Sequence, residues 1–469
     1  MSMTETELIW FRRDLRLRDL PALHAAARAE RTVPVFVFDE RLYRTGRFPS
    51  APRTAFMLGC LHELDAALRE RGGRLVIRTG RPETEIPKLA RETGARAVHW
   101  TADASPWSRR RDQRVHDGLA RLSVAAHPHP GACVVDDPSR IRTKQGKPYT
   151  VFSPFARAWL VTRRRDLVPM PHALTLPSNL RTGRLPSARD LGAEIDGGLG
   201  FTPGEHAGRE ALAAFLRTRL AAYEDGRDTP AGGSSRLSPY LRWGCVSALE
   251  LDTKVAEQRS GGSASYRNEL AWRDFYAAVL MHFPQVVQHE FQERYRALDW
   301  DPPGDRLEAW KQGRTGYPLV DAGMRQLAAE HWMHNRVRMV VGSFLTKDLQ
   351  LDWRLGEAHF MALLLDGDMA ANNGGWQWIA STGTDPAPYF QRLLNPVTQQ
   401  RRHDPDGIYV RRWVPELRDV GDEHLAEPWT MSEDEQRAAG CVIGRDYPEP
   451  IVDHAVERRR AIERYRAAG

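Results

Sequence analysis

The sequence predicts two unlike halves: an α/β domain built on a doubly wound parallel sheet, then a larger all-α domain, joined by a long connector. Three observations carry this reading. Short apolar runs alternate with helical patterns over residues 1–130, Pro, Gly and Ser crowd the segment 131–205, and the apolar spacing stays helical over 206–469.

Taken in order, Leu8–Phe11, Val33–Phe38, Leu75–Arg78 and Ala97–Trp100 are β-rich apolar runs of strand length, and Val124 opens a candidate fifth. Between them Leu20–Glu30, Arg53–Arg71, Glu83–Glu92 and Arg109–Arg121 read as helices. In the second of these, Met57, Leu58, Leu61, Leu64 and Leu68 share one face. Alternation of this kind covers both faces of a parallel sheet. The connector carries one expected helix near Pro154–Arg164. Beyond it Leu212, Phe215, Leu216 and Leu220 form a helical stripe, and further helical windows cover 266–282, 318–331, 335–348, 354–366 and 386–394.

Composition narrows the function classes. The 469 residues are 41% apolar and 27% charged, which supports a buried core and excludes a wholly disordered or fibrous chain. No run approaches the 18 apolar residues that would signal a membrane-spanning helix. The first residues show no basic segment leading into an apolar one, so the expected compartment is the cytoplasm. Cys60, Cys133, Cys245 and Cys441 lie far apart and are expected to be buried small hydrophobes rather than a disulfide or zinc framework. A net charge of +6 is compatible with a polyanionic partner. Of 14 tryptophans, ten lie beyond residue 240, where they serve either a core or the stacking of flat ligands.

The usual nucleotide signatures are missing: there is no GxGxxG after a strand, no GxxxxGK[ST] and no GxSxG elbow. His331 and His334 lie three apart without a fitting ligand set, so no metal is expected. Ser234, Ser235 and Ser238 precede a helical segment. They read either as a phosphate cradle or as an ordinary helix start. Asp366, Asp368, Asn372, Asn373, Gly374, Gly375, Trp376, Gln377 and Trp378 crowd thirteen residues, poor core material because buried amides and carboxylates need partners. They suit the rim of a pocket for a flat, polar-edged heterocycle, or else a solvated loop cluster.

Together these residues resemble a known family. LIWFRRDLRLRDLPAL, SSRLSPYLRWGCVS, ELAWRDFY, GYPLVDAGMRQLAAEHWMHNRVRMVVGSFLTKDL and DGDMAANNGGWQWIASTGTDPAPYF resemble the photolyase/cryptochrome family, in its order and from residue 8 to about 420. WMHNRVRM with its methionine is similar to the bacterial class I enzymes that act on cyclobutane pyrimidine dimers. The six-four and DASH branches differ there, the latter with glutamine at the positions of Met339 and Glu269. The resemblance implies a Rossmann-like antenna domain and a helical domain that binds FAD. It further implies light-driven DNA repair: photoexcited FADH⁻ gives an electron to a flipped-out dimer, the ring splits and the electron returns.

The resemblance also assigns residues. Tyr223, Ser234, Ser235, Leu237 and Ser238 would hold the phosphate and ribityl parts of FAD. Asn335, Arg338, Asp366, Asp368 and Asn372 would surround the flavin, with Arg338 and Asp366 as a buried pair and Asn372 facing N5. Glu269, Trp272, Asn335, Met339 and Trp378 would line the dimer pocket, and Trp376, Trp353 and Trp300 would form the electron-hopping chain that photoreduces the flavin. Damaged DNA is the implied partner, with Arg392, Arg401 and Arg402 near the motif that would meet phosphates. Folate-binding relatives carry an Asn-Glu pair after the fourth strand. This chain has Trp100-Thr101-Ala102-Asp103 instead, which favours a deazaflavin antenna with Asp103 as a contact over methenyltetrahydrofolate. A monomer is the simplest expectation. A light-sensing cryptochrome and a flavin oxidoreductase using thermal hydride chemistry are the rival readings, the latter without a nicotinamide fingerprint.

Overall fold

The structure, a computed structural model, describes residues 5–385 and 388–468. The four apolar runs of the first half and the candidate fifth form one parallel sheet: β1 (Thr6–Phe11), β2 (Arg31–Phe38), β3 (Val76–Thr79), β4 (Ala97–Thr101) and β5 (Ala125–His129), in the order β3-β2-β1-β4-β5. Register is fixed by buried pairs such as Leu8 beside Val33 and Val98. Side chains alternate along each strand. Leu8 and Trp10 join Val33, Val35 and Val98 under the helices Pro82–Thr93 and Pro106–Ala120. Ile9 and Phe11 point the other way, into a core shared with the helix Ala51–Arg69 and with the helical half through Phe215, Leu237, Tyr240 and Phe275. One face of the sheet therefore docks directly onto the second half of the molecule.

Helix ends depart from expectation where capping decides them. The helix expected over 20–30 closes at Ala26, because its last amides tighten to bonds three residues back. The helix expected over 53–71 starts two residues earlier, where Ser50 accepts from the Arg53 N–H and Pro52 suits the first turn. In the connector the helix runs Phe152–Val161. The window 318–331 becomes Pro318–Glu330, and 335–348 becomes an α-helix Asn335–Ser343 that widens into a π-turn, Phe344–Asp348. The helix expected over 386–394 is corrected to a 3-10 turn, Tyr389–Arg392, because Pro388 and Pro396 bracket it and lack amides; Pro386 and Ala387 lie outside the described residues.

The crowded stretch after residue 366 is neither loop nor strand but a helix, Met369–Ile379, capped by Asp368, which accepts from the N–H groups of Ala370 and Ala371. Its glycine Gly374 exists for clearance: a Cβ there would collide with the Tyr276 ring. Cys60, Cys245 and Cys441 are buried as expected, whereas Cys133 is half-buried. The Cys60 and Cys245 sulfurs approach to 3.5 Å across the two halves. Among the described residues no helix is long and apolar enough to cross a membrane, and no cluster of His, Cys, Asp or Glu is placed to hold a metal.

Candidate functional site

The site is built around the long helix Gly261–His282, which begins with a reciprocal Ser260/Ser263 capping box. Helical spacing places Ser265, Glu269, Trp272 and Tyr276 along one face. Glu269 is held by Arg227, whose guanidinium donates to Oε1 at 2.8 Å and to Ser265 Oγ at 3.1 Å. Burial pushes the Glu269 carboxyl upward, and Arg227 opposes the shift without cancelling it. Trp272 is backed by Phe152 of the connector, the two rings parallel within 6° at 3.7 Å between centroids. Tyr276 continues the wall at 5.3 Å from Trp272.

A second element is the helix Asn335–Ser343. The His334 Nδ1 caps it by accepting from the Arg336 N–H. Burial lowers His334 to about 4, which keeps that nitrogen free to accept. Asn335 stands exposed with its amide 4.0 Å from the Met339 sulfur, and Arg336 pairs with Asp228, the neighbour of Arg227. The neighbouring residues Arg227 and Asp228 thus tie the two helices together. Trp378, on the helix Met369–Ile379, lies beneath the Arg392 guanidinium at 4.1 Å.

Arg338 and Asp366 form a two-pronged pair at 2.8 and 3.2 Å, with the Asp366 side chain 5% exposed and the Arg338 Nε spent on the Met333 carbonyl. Asn372 donates its amide to the Glu357 carbonyl at 3.1 Å, which leaves its own carbonyl oxygen to accept. Asn373 donates to the Glu357 carboxylate, which Arg47 of the sheet domain also reaches. Asp368 serves the helix start and the Arg13 guanidinium at 2.6 Å rather than an open rim.

The serine loop is not a simple capped helix start. Leu237, fully buried, is the residue before the helix Ser238–Trp243, with no side-chain cap. Ser234 and Ser235 accept from the N–H groups two residues on, Ser235 also meets the Tyr266 hydroxyl at 3.0 Å, and Ser238 accepts from the Trp332 indole. Tyr223 packs edge-on against Phe215 and Tyr266 nearby. Hydroxyls and amides in this density, next to a half-buried amide rim, fit the phosphate and ring edges of FAD.

Trp376 is buried against Phe360 and Trp310, and Gly356 leaves it room: a Cβ there would strike its ring. Gly356 stands one turn from Trp353, which donates its indole N–H to Glu290 at 3.1 Å. Trp300 lies farther out, edge-on to Tyr465 of the last helix, His454–Ala468. Of the basic residues expected at phosphates, Arg392 is corrected: it is buried, bound to Asp385 at 2.6 Å and to the Trp378 carbonyl. Arg401 pairs with Glu427, and Arg402 is exposed. Sequence reading passed over Arg227, Asp228, Arg336 and Phe152, since each matters through a partner remote in sequence.

A small cavity sits at the carboxyl ends of β1 and β4, the strands between which the sheet order reverses. Arg12, Arg13, Arg16, Arg242 and Arg273 line it, with Asp14 and Asp103. Burial pushes the Asp103 carboxyl up, but Arg13, at 2.9 Å, and Arg12 outweigh it and hold it well below the usual range. One Arg242 nitrogen is buried without a hydrogen-bond partner. The donor set fits an acidic heterocycle, yet the space is about 20 Å³, room for one water.

Comparison with known proteins agrees with this geometry. Residues 7–173 match the family model described as DNA photolyase, and residues 266–467 match the FAD binding domain of DNA photolyase. A deoxyribodipyrimidine photo-lyase from Streptomyces griseus is 44% identical over 97% of both chains. The crystal structure of a class III photolyase from Agrobacterium tumefaciens superposes with a TM-score of 0.93 at 34% identity, covering 100% of this chain and 98% of that one. A Synechocystis cryptochrome superposes at 0.91 with 29% identity, covering 99% and 100%. This chain belongs to the DNA photolyase family.

Proposed function

We propose that this chain is a light-driven DNA repair enzyme that splits cyclobutane pyrimidine dimers, with reduced FAD as its cofactor. The observation that supports it most is the tie between two site elements: Glu269, half-exposed with its carboxyl raised by burial and one turn from Trp272, pairs with Arg227, whose chain neighbour Asp228 holds Arg336 beside Asn335, as one side of a pocket requires. A dimer has lost its stacking and leaves the duplex at lower cost than intact bases, so such a pocket selects it. When bound, the reduced flavin supplies the light-driven electron that opens the ring.

The chain's own residues position and protect. Glu269 hydrogen-bonds the carbonyl–imide edge of the lesion, and its raised carboxyl can donate there. Trp272 and Trp378 face the flat parts. Asn335 and Met339 close the pocket. Tyr223 with the loop from Ser234 to Ser238 holds the phosphate end of FAD, Arg338 and Asp366 fix a charge pair at the ring edge, and Asn372 offers an acceptor to a protonated ring nitrogen. Asp368 acts through the helix it caps. Trp376, Trp353 and Trp300 lead from the interior outward and would restore the reduced flavin.

The proposal includes the division 1–130, 131–205 and 206–469, a cytoplasmic monomer, and a deazaflavin antenna beside Asp103 in the arginine-lined cavity. Seating a tricyclic ring there requires Arg13 to leave Asp103 and Asp368. Reconstitution with a deazaflavin that adds no absorbance band would remove the antenna part alone.

The main test is repair of a dimer-containing oligothymidine by the reduced protein, in light and in darkness. Recovery of thymine absorbance only in the light supports the reading. No recovery with flavin bound and photoreducible overturns it in favour of a photoreceptor, the reading that the Synechocystis cryptochrome likeness favours.

A further inference from the structure

The connector contains a small basic hairpin that the pocket does not use. Arg142 bridges Pro148 in antiparallel fashion, the Thr143 N–H donates to the Lys147 carbonyl at 2.9 Å, and Gly146 turns the chain at φ +76°. Arg142 closes the loop by donating to the Gly146 carbonyl at 3.0 Å. Arg142, Lys144, Gln145, Gly146 and Lys147 are all exposed. Among the described residues no carboxylate pairs with Arg142, Lys144 or Lys147, and the acids just before the hairpin are taken: Asp137 by Arg140 and Asp136 by Arg165.

Both legs of the hairpin are anchored to the helix that carries Glu269 and Trp272. Upstream, Asp274 accepts from the N–H groups of Val134 and Val135, Arg273 donates to the Ala132 carbonyl, and His282 reaches the Ser139 carbonyl at 2.9 Å. Downstream, Phe152 stacks on Trp272 and Phe155 packs on Phe275 at 5.2 Å. The three cations therefore project from a rigid base whose next fixed point is Phe152, four residues past Pro148 and stacked on Trp272.

We infer that this hairpin is a phosphate clamp for the DNA backbone flanking the lesion, gripping the strand from the Trp272 side of the pocket. The inference rests on the DNA reading above. Three solvated, unpaired cations on a stiff turn suit a partner with regularly spaced negative charges, and contacts to phosphates position the duplex without reading its sequence. Arg142 is held by a backbone carbonyl, and among the described residues neither lysine has a carboxylate partner, so the three have no competing anion to give up on binding.

The test is the triple variant Arg142→Ala/Lys144→Ala/Lys147→Ala, compared with Lys88→Ala/Arg458→Ala/Arg459→Ala, which removes the same charge from exposed sites elsewhere. Binding to a dimer-containing duplex is measured across salt concentrations by fluorescence anisotropy. The hairpin variant is expected to bind roughly tenfold more weakly, with a salt slope shallower by about 2–3, near 0.9 per lost phosphate contact. Affinity for undamaged duplex should fall by the same factor, and repair of a dimer in a five-nucleotide strand should stay unchanged. An unaltered slope, or an equal loss in the control variant, overturns the clamp while leaving the repair reading intact. Failure of the unsubstituted protein to prefer dimer-containing DNA overturns the repair reading itself.

Discussion

Two regions of the molecule use arginine and carboxylate in opposite ways. Between the sheet and the helical half, Arg13 faces both Asp103 and Asp368, at 2.9 and 2.6 Å, in a cavity walled by four further arginines. Around the pocket the pairs are one to one and half-open: Arg227 with Glu269 at 2.8 Å and Arg336 with Asp228 at 2.7 Å. The first arrangement shares one cation between two anions and leaves room for one water. The second holds side chains at a rim and leaves aromatic surface bare. Shared, enclosed charge fixes how two bodies sit together, whereas single half-exposed pairs, worth little in stability, aim groups at an incoming ligand.

Three substitutions or conditions separate these roles, the largest effect first. Arg13→Ala strips two carboxylates of their common cation and should cost about 2 kcal/mol of stability, measured by urea unfolding, the partial exposure of the cluster keeping it below the full cost of a broken buried pair. Flavin retention should fall with it, because Asp368 also caps the helix bearing Asn372. An unchanged urea midpoint would break the comparison.

Glu269→Gln should do the reverse. Folding stability should move by no more than about 0.5 kcal/mol, since the Arg227 pair is half-exposed. Affinity for the dimer should drop roughly tenfold, about 1.4 kcal/mol, as the carboxyl that donates to the lesion is replaced by an amide. Equal repair per photon and equal affinity would remove Glu269 from the pocket's chemistry.

The smallest effect is in pH. His334 is lowered from 6.5 to about 4 by burial, so its neutral form stabilises the fold. That contribution is complete above about pH 6.5 and is lost as pH falls from there towards 4, when the unfolded chain takes up the proton first. The folded ring stays neutral down to about 4, so the cap on Asn335–Ser343 holds through that window and the loss comes from proton uptake by the unfolded chain. A His334→Asn variant, which keeps an accepting side chain, should flatten the melting temperature across that window. A parallel decline in both proteins would assign the acid sensitivity elsewhere.

The strands and most long helices were legible because apolar spacing is a local signal: β1 to β4 lie within two residues of where their hydrophobic runs begin. The helix Met369–Ile379 escaped the same reasoning. Its residues Asn372, Asn373, Gly374 and Gly375 have weak helix propensity and show no stripe, and it forms because Asp368 caps it and because Gly374 and Gly356 admit the Tyr276 and Trp376 rings. Tertiary fit overrides propensity there. In the same way the carboxylates and amides of the site were recognisable by type. Their partners Arg227, Arg336, Glu357 and Phe152 were not, since pairing across 15 to 120 residues leaves no pattern in a linear chain.

The double duty of Asp368 has a consequence for synthesis. Its cation, Arg13, precedes it by 355 residues. At about 5–20 residues per second that is roughly 20–70 s between the appearance of one charge and the other at the ribosome. The sheet domain can complete its strands in that interval, but its most constrained arginine waits without its last partner until nearly four-fifths of the chain has emerged. The flavin-side helix and the domain junction then mature in one event, so the cofactor site closes only on a molecule whose first half has already folded.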